Sequence, residues 1–168
     1  GQGFTAWARR SGDAIVAWNL AVYGCGLARG HEQSPVAQLQ IDRKCDDWPG
    51  WWEAEVDRFR PDVVIILSGL WDLVERRLPG SDRINAPGEQ IFDDWLLSEY
   101  QLAVDIASSR GARVVWLTAP CLGPDAARSP VGQTAAIEPH NIDHLNRVVL
   151  PQLAQSRPRQ VVLFDLFD

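Results

Sequence analysis

The chain has 168 residues, 46% of them hydrophobic and 23% charged, which are the values of one ordinary globular domain with a real core and not of a disordered chain. A net charge of −6 and a pI near 5.0 argue against nucleic-acid binding. No apolar run approaches the roughly 18–20 residues that span a bilayer, and residues 1–10, "GQGFTAWARR", lack the pattern of a signal peptide.

In chain order, "AIVAWNLAVYGCG" (residues 14–26) is apolar to Leu20 and then opens into Gly24, Cys25 and Gly26. This predicts a short strand over 14–20 followed by a glycine-rich turn. Residues 27–46 read as loop. "WWEAEVDRF" (residues 51–59) predicts a short helix, started by Asp47 and Pro49 and stopped before Pro61. "DVVIILS" (residues 62–68) is a β-branched run, the pattern of a strand covered on both faces of a parallel sheet. Residues 78–93, rich in Pro and Gly, read as a loop. Leu96, Tyr100, Ala103, Val104 and Ala107 then recur at helical spacing, with Gly111 at the natural stop. "RVVWLTAP" (residues 113–120) predicts a second buried strand, and residues 121–136 a loop. A helix from about Glu138 carries Ile142, Leu145 and Val149 on one face, with Pro151 expected to kink or end it. "QVVLFDLFD" (residues 160–168) predicts the last strand. The alternation of strand and helix predicts a single α/β domain over residues 1–168, with right-handed crossovers and a parallel sheet.

Two counts stand out: there is no methionine, and there are eight tryptophans, three of them in "DWPGWW" (Trp48, Trp51, Trp52). Core and helix packing is the favoured reading of that cluster, against an aromatic surface for a sugar or a partner. The cysteines Cys25, Cys45 and Cys121 have no zinc-site spacing. In a reducing compartment they would be buried thiols. In an exported protein Cys25 and Cys45 could close a modest loop, leaving Cys121 for another partner, and spacing alone leaves both readings open.

In a parallel α/β sheet, ligands sit beyond the carboxyl ends of the strands. Three such ends stand out: "NLAVYGCG", where Gly24 could turn an N–H toward an oxyanion; "SGLWD", where Gly69 permits close approach and Trp71 and Asp72 follow; and "LTAPCLGP", with small residues for a pocket wall. The plainer alternatives are a turn glycine at Gly24, a helix start at Asp72 and a loop after Pro120.

Taken together, the first two ends resemble the SGNH (GDSL-type) hydrolases. Asn19 followed by Gly24 is similar to that family's second block. "GLWD" (residues 69–72) is similar to its third block, GxND, with Trp71 where the family has an oxyanion-binding Asn. The same exchange is familiar in extracytoplasmic SGNH-like domains attached to membrane O-acyltransferases, which "RPDVVIILSGLWDLVERR" resembles. The resemblance runs from about Ile15 to Asp165. It implies a three-layer α/β/α fold with a flavodoxin-like parallel sheet, and acyl ester chemistry on extracellular carbohydrate without a metal or other cofactor. It further implies an extracytoplasmic location beside a fused membrane acyltransferase. Gly24 and Gly69 would lie at the reaction site, and Trp71 would donate a hydrogen bond or wall the acceptor site.

The family's nucleophile, in GDS, and its catalytic DxxH are not found in this chain. "RSGDA" holds Ser11 and Asp13 but no GDS. Of His31, His140 and His144, the last two lie four apart on a helix before the final strand, where the family's histidine does not fall. The expectation is a segment lacking the first strand, the serine and the histidine, and inactive by itself, because a triad needs all its parts. The competing expectation is a non-catalytic glycan-binding module. A flavodoxin-like nucleotide binder is disfavoured, since no strand leads into GxGxxG or a P-loop.

Overall fold

The computed structural model describes residues 2–12, 14–22, 24–30, 45–120 and 138–166. Cys121, His31, Asp13 and the loop expected over 121–136 lie outside the described residues. The elements are α1 (Gln2–Ser11), α2 (Trp48–Phe59), β1 (Val63–Leu67), β2 (Arg76–Arg77), β3 (Ile84–Asn85), α3 (Gln90–Ala107), β4 (Arg113–Leu117), α4 (Pro139–His144), a π-helical turn (Leu145–Val149), α5 (Leu150–Ser156) and β5 (Val161–Phe164).

β1, β4 and β5 form a parallel sheet in the order β1-β4-β5, with Val63 opposite Arg113 and Val114 opposite Val161. Three of the four strands expected from the sequence are therefore present, in parallel as expected. The β-branched run of β1 has little helical preference, and its pleat sends alternate residues to opposite faces. Ile66, Val114, Trp116 and Val161 point into one core, together with Trp48 of α2, Tyr100 and Val104 of α3, and Leu150 and Leu153 of α5. Tyr100 and Trp116 pack with ring centroids 4.6 Å apart. Fully burying side chains of this size stabilises by about 1.5–3 kcal/mol each.

Four expectations are corrected. The segment 14–20 is apolar but is not a strand. A strand needs a ladder partner for its N–H and C=O groups, and among the described residues this segment pairs with none; Ala21 N–H instead donates to Asn19 Oδ1 at 3.3 Å. β1 is covered on one face only, with Val63, Ile65 and Leu67 exposed on the other, so its continuous apolar run did not mean two buried faces. The stretch read as loop over 78–93 contains β3, which pairs antiparallel with β2, Arg76 opposite Asn85. Lastly, Pro151 does not end the helical path, which runs on to Ser156. It sits in the first turn of α5, where an N–H is dispensable, just after the π turn shifts the register so that Leu150 N–H bonds Leu145 O.

The helix boundaries follow local chemistry. α2 begins after Asp47 with a proline in its first turn and ends at Phe59, where Arg60 adopts a left-handed conformation (φ 48°) ahead of Pro61. In the tryptophan cluster, Trp48 is core, Trp52 packs partly buried against it at 5.0 Å, and Trp51 faces outward, so core packing accounts for the first two.

Candidate functional site

Gly24, Gly69, Trp71 and Asp72 gather at the carboxyl end of β1, where a parallel sheet places its ligands. Gly24 has φ +81°, and a Cβ there would stand 4.0 Å from Cζ2 of Trp71. Two turns 47 positions apart in the chain thus meet face to face. Across the turn, a Cβ on Gly69 would stand 3.3 Å from the Cβ of Ala119, just past the end of β4. The site is therefore framed by the ends of β1 and β4 and by the 24–30 loop. No helix starts at Asp72: Gly69–Leu73 is a tight turn closed by Asp72 N–H to Gly69 O at 2.9 Å.

Asp72 is fully buried. Its Oδ1 accepts Ala28 N–H at 2.7 Å and its Oδ2 accepts Gly69 N–H at 3.3 Å. A Cβ on Gly26 would lie 2.3 Å from Oδ1, so only glycine allows the loop to approach this closely. The carboxylate stitches the 24–30 loop to the turn after β1, which makes Asp72 a positioning residue. Behind it runs a buried chain of hydrogen bonds: Trp116 Nε1 donates to Ser68 Oγ at 3.2 Å, Ser68 Oγ donates to the Tyr100 oxygen at 3.1 Å, and the Tyr100 hydroxyl bonds Asp72. Burial, with the nearby Asp72 charge, raises the Tyr100 pKa well above its ordinary value of 10.0.

Arg76 is also buried, and sequence reasoning missed it. Its Nη1 donates to Ala28 O at 2.7 Å and Arg29 O at 3.1 Å, its Nη2 to Trp71 O at 2.7 Å, and its Nε to Val74 O at 2.9 Å. The guanidinium stacks on Trp95 at 5.2 Å. Burial pushes its pKa down, opposed first by the charge of Asp72. One cation thus satisfies carbonyls from both loops, which a lysine's compact ammonium could not match. Glu99 of α3 holds the same loop from outside by a two-pronged ion pair to Arg29, at 2.6 and 2.7 Å, which raises the Arg29 pKa. A basic pair, "RR" at 76–77, was the only visible signal, and nothing local marks one of the two as interior.

Asn146, in the π turn, was missed as well. It clamps Ala119 by donating to Ala119 O and accepting from Ala119 N, both at 2.8 Å. The lining residue opposite Gly69 is therefore fixed from a second helix, and π turns recur where a side chain must be re-aimed.

The remaining candidates lie apart or elsewhere. Asn19 is exposed, and its Oδ1 accepts Ala21 N–H at 3.3 Å. The Ser11 hydroxyl donates to Ala8 O within α1. His140 is exposed, and His144 Nε2 lies 2.7 Å from Asp93 Oδ2 in the first turn of α3. Cys25 and Cys45 form a disulfide with Cα atoms 5.3 Å apart, closing the loop that carries Gly26 to Gly30. Among the described residues, no group of three or more His, Cys, Asp or Glu could hold a metal, and no helix is long and apolar enough to cross a membrane.

No protein-family model matches the chain, and no curated protein matches it.

Proposed function

We propose that this chain is an SGNH-like domain whose Gly24–Trp71 end handles acyl groups, most simply O-acetyl, on extracellular or cell-wall carbohydrate. The observation that carries the reading is the meeting of Gly24 with Trp71 at the carboxyl end of β1, with Asp72 locked behind them. Gly24 of the second block and Trp71 of the third, distant in sequence, lie together, which supports the reading although Asn19 lies apart. The parallel order β1-β4-β5 supports the finer proposal of a three-layer, flavodoxin-like sheet. The Cys25–Cys45 disulfide supports an extracytoplasmic location; a fused membrane acyltransferase beside it follows from the resemblance alone.

In this reading Gly24 supplies backbone N–H toward the oxyanion. Trp71 either donates its indole N–H there or walls the sugar acceptor. Gly69 and Ala119 leave room for the acyl group. Arg76, Asp72 and Glu99 keep the two loops in place before substrate arrives. A serine nucleophile and a histidine base would come from polypeptide flanking residues 1–168.

Trp71 variants of a chain extended on both sides test the reading, with hydrolysis of a simple acetyl ester measured beside transfer to sugar. If Trp71 walls the acceptor site, Trp71→Asn lowers transfer while hydrolysis survives. If it donates to the oxyanion, Trp71→Phe depresses both. Variants that leave both rates at the parent's value contradict the assignment.

The alternative is a non-catalytic module that holds glycan for an acyltransferase. The exposed ring of Trp51 is the observation in its favour. It predicts glycan binding with no turnover even in the extended protein.

A further inference from the structure

The carboxyl ends of the parallel strands carry the site described above. At the opposite end, the segments that lead into β1, β4 and β5 bring together Arg58, Arg60, Arg110, Arg113, Arg157 and Arg159. Arg113 stands opposite Val63 and its N–H donates to Asp62 O at 3.0 Å, while Val114 N–H donates to Gln160 O at 2.8 Å, so the three segments adjoin. Neighbouring strands lie about 4.8 Å apart, which makes the arginines one row. The chain holds 16 basic residues against 22 acidic ones, yet the described residues of this edge set six arginines against four carboxylates, Glu55, Asp57, Asp62 and Asp105. The row is a local excess of positive charge on an acidic chain.

Part of that excess has a local cause. α2, α3 and α5 all end at this edge, and cations suit the negative end of a helix dipole. Arg58 pairs with Glu55 at 3.4 Å, Arg110 with Asp57 at 2.6 Å and Arg157 with Asp105 at 2.7 Å. Arg60, Arg113 and Arg159 differ: all three are exposed and, among the described residues, none forms an ion pair. Arg60 even caps α2 with φ 48°, where glycine or asparagine fits with less strain. Next to Arg60, Phe59 packs on Trp18 with ring centroids 5.9 Å apart, and Arg58 lies over the indole at 5.3 Å. Both rings nonetheless stay in contact with solvent, Trp18 52% and Phe59 37% exposed.

We propose that this edge rests on a bilayer surface, with Arg60, Arg113 and Arg159 on anionic lipid headgroups and the Trp18–Phe59 pair at the headgroup level. Charge complementarity selects an anionic partner, because basic residues near a surface of negative potential are drawn to it. The aromatic pair selects lipid over a soluble polyanion. An indole beside arginines has an apolar body and a polar N–H, the combination that settles at a membrane–water interface, whereas a soluble polyanion is held by charge alone. Contact at this edge leaves the opposite end of the sheet, with Gly24 and Trp71, facing away from the lipid.

The inference needs no ester chemistry, so turnover and lipid binding can fail separately. The test is cosedimentation of residues 1–168 with vesicles of phosphatidylcholine alone and of phosphatidylcholine mixed with phosphatidylglycerol. Binding is expected on the anionic vesicles only, and is expected to weaken as salt rises. An anionic surface contributes roughly fivefold in affinity per arginine, so the triple variant Arg60→Glu, Arg113→Glu, Arg159→Glu should bind at least about tenfold more weakly. The same three sites changed to Gln should also weaken binding, and serve if the Glu variant does not fold. Arg77→Glu, Arg83→Glu, Arg147→Glu makes an equal charge change elsewhere and should bind like the parent. No binding to anionic vesicles, or equal losses from the two Glu triple variants, overturns the proposal. So does equal binding to both vesicle types, which would assign the contact to the exposed Val63, Ile65 and Leu67 of the sheet face. Trp18→Ala supplies a second readout: it should weaken vesicle binding severalfold and leave binding to soluble dextran sulfate unchanged. Vesicle binding that is indifferent to Trp18 would make the edge a polyanion site and contradict the bilayer assignment.

Discussion

At the scale of single residues, the site is set by a carboxylate that never meets solvent. Asp72 draws the backbone of Gly26 so close that any side chain there would overlap Oδ1. Gly26→Ala is accordingly expected to cost about 1–3 kcal/mol through forced displacement of the loop. Gly30→Ala, with nothing within 4 Å of its Cβ but φ +78°, serves as the control for backbone strain alone. Chemical denaturation of both variants checks this, and equal losses would mean that the contact with Asp72 is not what excludes a side chain. The Tyr100 hydroxyl, buried against the same carboxylate, makes a pH prediction. Its pKa is raised in the folded state, so above pH 10 the unfolded chain loses a proton that the folded chain keeps. Stability from this group is intact below about pH 9 and falls as pH rises past 10, by up to about 1.4 kcal/mol per unit. Urea unfolding between pH 9 and 11 should show this extra slope in the parent and not in Tyr100→Phe. Gly69 and Trp71 lie past the end of β1 as expected, because that strand end can be read from its hydrophobic run, whereas Gly24 was reached from a run that forms no strand. Arg76 and Asn146 were not legible, because each works through backbone carbonyls or amides brought near by the fold, and no spacing in the sequence records them.

At the scale of elements, periodicity was a good guide wherever burial was one-sided. α2, α3, β4 and β5 lie where their apolar patterns put them, since each shows one face to a core that its neighbours complete. Segment 14–20 has a strand's composition without a strand's hydrogen bonds: composition reports what a segment tolerates, and a ladder needs a second strand. The two-residue strands β2 and β3 are too short to show alternation at all. The disulfide binds the site loop to the start of α2, where Trp48 Nε1 already donates to Leu27 O at 2.8 Å. Closing a loop of 20 residues stabilises by about 3 kcal/mol. The Cys25→Ser, Cys45→Ser double variant should lose about that much in urea unfolding, first in the loop contacts around Asp72. A loss below about 0.5 kcal/mol would show that the noncovalent ties suffice.

At the scale of the whole molecule, the described residues hold a one-sided sheet with helices on one face and an apolar surface on the other. The loops at the carboxyl end of β1 are nonetheless assembled, held by Asp72, Arg76, Glu99 and the disulfide. In the proposed function, these assembled loops are distinct from the groups that would react between them. Backbone donors at an oxyanion contribute a few kcal/mol, about 10²–10³ in rate, but without a nucleophile they have no intermediate to stabilise. The most direct test is acetyl-ester turnover by residues 1–168, by the chain extended on both sides, and by the extended chain carrying Gly24→Val. The account predicts no turnover by residues 1–168, clear turnover by the extended chain, and a loss of at least about 10²-fold in the Gly24 variant with its fold retained. Robust hydrolysis by residues 1–168 that is abolished by Ser11→Ala or His144→Ala, or an extended chain indifferent to Gly24, would contradict it.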